Sequence, residues 1–143
     1  MWVLDSSAGL RKISPIQIAI MLEFAKKSPE PMHITELIAS LKATFPAESW
    51  EPKKGTIYPS VHNLDARGYL RLHHPFPKGY SITAKGKEAI DKMISQFNKQ
   101  MDLYMIYYTY ILNNYADIEP EKANKIKANV LKSLEEFIEN YQL

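Results

Sequence analysis

Residues 54–73 read Lys54-Gly55-Thr56-Ile57-Tyr58-Pro59-Ser60-Val61-His62-Asn63-Leu64-Asp65-Ala66-Arg67-Gly68-Tyr69-Leu70-Arg71-Leu72-His73, and the hydrophobic period changes within this stretch. Ile57, Val61 and Leu64 recur at helical spacing and converge on one face at 100° per residue. Gly68 suits the left-handed residue just past a helix end. From Tyr69 to His73 apolar and polar residues alternate, which is the period of a strand. The stretch therefore predicts a helix from about Lys54 to the residues before Gly68, feeding directly into a strand.

Working outward, His74-Pro75-Phe76-Pro77-Lys78-Gly79 is a turn and Tyr80-Ser81-Ile82 the returning strand. Upstream, Ser14-Pro15 opens a first helix: serine caps free N–H groups, and proline fits the first turn. Ile16, Ile20 and Phe24, with Ile18, Ala19 and Leu22 between them, make that helix largely buried. Lys26-Lys27-Ser28-Pro29-Glu30-Pro31 breaks it, and Met32-His33-Ile34 is a short extended piece. Thr35 is the expected cap of a second helix bearing Leu37, Ile38 and Leu41. Phe45-Pro46 through Glu51-Pro52 is a loop. Three short helices followed by a β-hairpin is the winged-helix order. The expected fold class is mainly α with a small β-hairpin.

Beyond Thr83 the pattern turns helical and stays so. Ile90, Ile94, Phe97, Met101, Tyr104, Tyr108, Ile111 and Tyr115 are spaced alternately four and three apart, which holds one apolar seam for more than three heptads. A helix of about 30 residues would be about 45 Å long, more than a small domain can cover alone. After a break at Asp117-Ile118-Glu119-Pro120, Ala123, Ile126, Val130, Leu134, Phe137 and Tyr141 line a second amphipathic helix. Pairing both helices with those of a second copy across a two-fold axis is the economical solution, and a hairpin folded back within one monomer is the alternative. The expected organisation is an N-terminal arm over 1–13, a winged helix-turn-helix domain over 14–86, and a helical dimerisation region over 87–143. Trp2 is read as packing through the arm, and Trp50 as packing near the third helix.

Composition narrows the function classes. The chain has 143 residues and no cysteine, which excludes disulfides, thiolate metal sites and cysteine nucleophiles. No apolar stretch reaches the roughly 18–20 residues of a membrane span. The first residues, Met1-Trp2-Val3-Leu4-Asp5, lack the basic start of a signal peptide, so a cytoplasmic location is expected. Residues 1–88 carry twelve Lys/Arg against eight Asp/Glu, a net +4, while the remainder holds six against eight, a net −2. A basic front and an acidic back suit a module that meets a polyanion at one end.

The run Gly55-Thr56-Ile57-Tyr58-Pro59, with Leu64 and then Gly68-Tyr69-Leu70, resembles the PadR family. Tyr80-Ser81-Ile82-Thr83-Ala84-Lys85-Gly86 is similar to that family's strand running into a Thr-x-x-Gly helix start. The resemblance is tight over residues 53–86 and looser from Ser14 to about Ile94. It implies a winged helix-turn-helix transcriptional regulator, often a repressor, that binds DNA as a homodimer. Two departures stand out. His33-Ile34-Thr35-Glu36 replaces the family's His-Gly-Tyr-Glu-like run, and the wing His73-His74-Pro75-Phe76-Pro77-Lys78 lacks the family's arginines.

With Ile57, Val61 and Leu64 inward, Pro59, Asn63 and Ala66 face outward, flanked by Thr56 and Ser60 on one side and His62 on the other. Small and amide-bearing groups suit a helix lying in a major groove. Asn63 is the expected reader of adenine N6/N7, and Ser60 approaches a base edge. Lys53, Lys54 and Thr56, with the helix N-terminal N–H groups, suit phosphate contact. The resemblance adds Tyr58 as a phosphate or sugar contact and makes Pro59 purposeful. Gly55 is read as serving close backbone approach where the helix begins. Arg67 and the wing's Lys78 complete the candidate set.

Other functions have less support. Tyr104, Tyr107, Tyr108 and Tyr110 admit two readings, a cavity for a small apolar or aromatic ligand between subunits or plain interface packing with hydroxyls at the wet edge, and packing is preferred. No histidine has a helical i, i+4 partner, and adjacent His73 and His74 point to opposite faces of a strand, so neither metal nor cofactor is expected. No glycine-rich phosphate loop, carboxylate pair or Ser-His-Asp setting marks an enzyme. The main rival is a winged-helix adaptor that binds protein without DNA, and a third reading is a weakly specific chromatin-type binder.

Overall fold

Proline at the second residue of Ser14-Pro15 does start a helix. In the computed structural model, which describes residues 14–45, 51–74 and 79–141, α1 spans Pro15–Lys27 with its proline in the first turn. The serine acts through its backbone: its carbonyl accepts from the Gln17 and Ile18 N–H groups at 3.1 and 3.4 Å, and no side-chain cap forms. Ile20, Met21 and Phe24 are fully buried and Ile18 nearly so. Leu22, expected on the covered face, is exposed because it lies on the side of α1 away from Ile20 and Phe24. The arm over 1–13 with Trp2, the loop residue Trp50 and the wing residue Lys78 lie outside the described residues.

The second helix, α2, spans Ile34–Thr44 and has His33 at its N-cap, two residues earlier than the expected Thr35. The reason lies in Met32. Its N–H donates to the Tyr80 carbonyl at 2.8 Å and its carbonyl accepts from the Tyr80 N–H at 2.9 Å, an antiparallel bridge that ends the extended segment at once. Ile34, Leu37, Ile38 and Leu41 then face the core. Across the α1–α2 contact, the Glu23 carboxylate accepts from the Ser40 hydroxyl and pairs with Lys26 Nζ at 2.5 Å. Burial opposes ionisation of Glu23, but the hydrogen bonds from Lys26 and Ser40 and the lysine's charge outweigh it and hold the carboxyl below its usual range.

The third helix, α3, spans Lys54–Ala66, and Ile57, Val61 and Leu64 are wholly inaccessible. It stops as its sequence indicates: Gly68 has φ +80°, its N–H donates to the Asp65 carbonyl at 2.9 Å, and the Tyr69 N–H reaches back to the Leu64 carbonyl at 3.0 Å. That pair of backward bonds satisfies carbonyls the helix would leave open. β1 (Leu70–His73) then pairs antiparallel with β2 (Gly79–Ile82), in the register Leu70 with Ile82, Arg71 with Ser81, Leu72 with Tyr80 and His73 with Gly79. His73 Nε2 lies 2.7 Å from the Ser81 hydroxyl.

The fourth helix, α4 (Ala84–Ile118), is one continuous run of 35 residues, and α5 spans Pro120–Tyr141. Packing divides the chain inside α4, between Asn98 and Lys99. In the first unit, Ala89 and Met93 are buried in the winged-helix core, with Ile90 and Phe97 half-buried against it. Three of the first turns of α4 thus complete the domain that the three short helices and the hairpin begin. In the second unit, Ala123 is fully covered, yet Met101, Ile111, Leu131, Leu134 and Ile138 are between 45% and 62% exposed. An open groove of about 470 Å³ runs between Tyr108 of α4 and Ile126, Val130, Leu134 and Phe137 of α5, with Asn129 and Ser133 at its polar side. Much of the apolar seam of α4 and α5 is left uncovered. No helix among the described residues is long and apolar enough to cross a membrane.

Candidate nucleic-acid interface

The row Ile57, Val61 and Leu64 fixes the rotation of α3, so the remaining faces of the helix are set by period alone. Pro59, His62, Asn63 and Ala66 are exposed, as are Lys53, Lys54, Gly55, Thr56 and Arg67, while Tyr58 and Ser60 are half-buried at the two flanks. Nine of the ten sequence-derived candidates therefore lie on or beside one helix, and the tenth, Lys78, is outside the described residues. Together they form an accessible face bordered by α1 on one flank.

Lys53 is the residue at which the backbone turns from extended to helical, and its carbonyl accepts from the Thr56 and Ile57 N–H groups at 3.0 and 2.9 Å. No side chain caps this helix start. With two lysines beside it, the start of α3 joins positive charge to the positive end of the helix dipole, the combination that attracts a phosphate. Among the described residues the ion pairs use Lys26, Lys27 and Lys122, none of them on α3.

Pro59 sits inside α3 without ending it. It has no N–H to give to the Gly55 carbonyl one turn earlier, and Gly55 has no side chain, so the outward face here is stripped to backbone. A Cβ at Gly55 would meet nothing within 4 Å. The expectation that Gly55 serves close backbone approach within the protein is thereby corrected: nothing in the described fold presses on it. A glycine in a helix costs about 1 kcal/mol relative to alanine, and here the protein's own packing does not require it.

Ser60 turns its hydroxyl back to the Thr56 carbonyl at 3.0 Å, which commits its proton and leaves its oxygen as an acceptor. Tyr58 and His62 meet edge to face at 6.2 Å between ring centres, bracing the opposite flank. Burial, and after it the charges of Asp65 and Tyr58, push the Tyr80 hydroxyl of β2 up in pKa. Arg67 is drawn to the C-terminal end of α3, with its guanidinium 4.7 Å from the centre of the Tyr69 ring and Nη2 donating to the Tyr69 hydroxyl at 3.3 Å. Lys85 donates to the Arg67 carbonyl at 2.9 Å.

One participant was not legible in the sequence. Gln17, in the first turn of α1, donates from Nε2 to Asn63 Oδ1 at 3.2 Å. A glutamine between two isoleucines reads only as a polar gap in a helical pattern, and its partner is 46 residues away. Among the described residues no group of three or more His, Asp or Glu is arranged to hold a metal ion.

A family model described as the transcriptional regulator PadR-like family matches residues 21–92, half of the chain, from the middle of α1 into the first turns of α4. No curated protein and no solved structure matches the chain.

Proposed function

The chain belongs to the PadR-like family of transcriptional regulators, and on that premise we propose that it is a homodimeric repressor that lays α3 of each subunit in the major groove of a palindromic operator. The observation that carries this reading is the division of α3: one row wholly inaccessible, and the opposite row, Pro59, His62, Asn63 and Ala66, open to solvent and almost free of bulk. Lys53, Lys54 and Thr56 hold phosphates at the start of the helix, Tyr58 contacts phosphate or sugar at its flank, and Asn63 and Ser60 read base edges. Arg67 and Lys78 are proposed as outer contacts. Two copies set their α3 helices in successive major grooves about 34–36 Å apart, which is what a palindrome offers.

Phosphate and base contacts predict different failures. Lys54→Ala is expected to weaken binding to every duplex and to flatten the fall of affinity with salt by about one phosphate's share. Asn63→Ala should instead erase preference at one base position, a change of about 1–3 kcal/mol in discrimination, with little loss on scrambled DNA. Gel shifts on operator and scrambled duplexes at several salt concentrations distinguish the two. Equal losses by both variants on both duplexes would overturn the assignment, and no salt-dependent binding to random duplex would favour the protein-binding adaptor.

Gly55 supplies a second check. Since no protein atom lies where its Cβ would be, Gly55→Ala is expected to raise folding stability by about 0.5–1 kcal/mol. If the bare backbone at this point exists to let DNA approach, the same variant binds duplex more weakly. Thermal melts and gel shifts should therefore move in opposite directions. A variant that gains stability and keeps full affinity would remove Gly55 from the interface.

A further inference from the structure

A primary amide has two unlike ends: a carbonyl oxygen that accepts twice and an NH2 that donates twice. On an exposed side chain the amide turns end for end easily, because its terminal torsion is broad and roughly two-fold. The adenine edge in the major groove offers an N7 acceptor beside an N6 donor, so an asparagine fits it in one sense only. Asn63 is exposed on α3, yet its Oδ1 is already fastened to the Gln17 amide of α1. The backbone of Gln17 is held in the first turn of α1, where its main-chain N–H donates to the Ser14 carbonyl at 3.1 Å, and its side chain is half-buried beside α3.

We propose that Gln17 is a positioning residue that fixes the sense in which Asn63 meets a base, and so sets adenine preference from a helix outside the groove. The inference rests on the reading of α3 as the DNA-reading helix. Donation from Gln17 draws Oδ1 toward α1 and uses one lone pair. The second lone pair and both Nδ2 protons stay available, which leaves one acceptor and one donor in a fixed order. That is the complement of adenine N6 and N7 in one orientation. The cost of orienting the amide is met before DNA arrives, which favours the matched base over its competitors.

The test is selection of bound duplexes from a randomised pool by the full chain, comparing wild type, Gln17→Met, Gln17→Glu, Asn63→Ala and the Gln17→Met/Asn63→Ala pair. Wild type is expected to enrich adenine at one position of each half-site, and Asn63→Ala to abolish that enrichment. Gln17→Met keeps the length of the side chain and removes its donor, so adenine preference at that same position should fall about tenfold, with other positions and random-duplex affinity unchanged. The double variant should be no worse there than Asn63→Ala alone, the signature of two residues acting as one. Gln17→Glu can only accept, so it draws Nδ2 inward and turns the amide round, and adenine preference at that position should be lost.

Unchanged preference in Gln17→Met, or a uniform fall at every position, overturns the positioning role and leaves the DNA reading intact. If wild type enriches no site and binds random duplex without salt dependence, both fall.

Discussion

Gly86→Ala is expected to lower the melting temperature by roughly 10–20 °C, equivalent to about 2–4 kcal/mol of lost stability. Helix propensity alone gives the opposite sign, since alanine is favoured over glycine inside a helix by about 1 kcal/mol. Local geometry reverses it. A Cβ at Gly86 would overlap the Tyr69 carbonyl oxygen and lie 2.8 Å from Ile82 Cγ1. The carbonyl is held in place, because the Thr83 N–H donates to it at 3.0 Å and the single proton of the Thr83 hydroxyl is shared between the Gly68 carbonyl at 2.7 Å and the Tyr69 carbonyl at 3.2 Å. Thr83 Oγ1 in turn accepts from the Gly86 N–H at 3.0 Å. The start of α4 is thus locked to the end of α3 across a contact only glycine permits. Thermal melts of Gly86→Ala beside Gly55→Ala put both signs of one substitution in one protein, and a Gly86→Ala variant as stable as wild type would refute the contact.

Leu134→Asp should convert the proposed dimer to a monomer and lower operator affinity by a factor of about 100 or more. Leu134 is 45% exposed on α5 and lines the groove between α5 and Tyr108, so a carboxylate there costs the single subunit little. In a two-fold assembly the change occurs twice and buries two unpaired charges, each at a penalty of several kcal/mol. Loss of pairing removes the linkage between half-sites and leaves binding to an isolated half-site unchanged. Sedimentation gives the mass, and gel shifts on whole and half operators give the affinities. A stable dimer in this variant would exclude the α5 face from the interface.

The parts of the fold that one face or one backbone conformation dictates were legible beforehand. The row Ile57, Val61 and Leu64 fixed the rotation of α3, and Gly68 fixed its end, because each has one low-energy placement. The four-three spacing from Ile90 to Tyr115 revealed a long helix with an uncovered seam. What was not legible depends on partners distant in sequence. Thr35 looks like the better cap, but Met32 is claimed by Tyr80 and the helix begins at Ile34. Leu22 fits an apolar helix and still points to solvent. The outward row of α3 follows from its inward row, whereas Gln17 becomes visible only when α1 and α3 are set side by side.

The Met32–Tyr80 bridge has a mechanical consequence. A two-stranded hairpin is marginal by itself, and here its inner strand is also stitched to the segment that launches α2. The base of the hairpin is accordingly tied to the helical scaffold by backbone hydrogen bonds as well as by packing. Displacing β2 therefore means breaking two backbone hydrogen bonds to the residue two before α2.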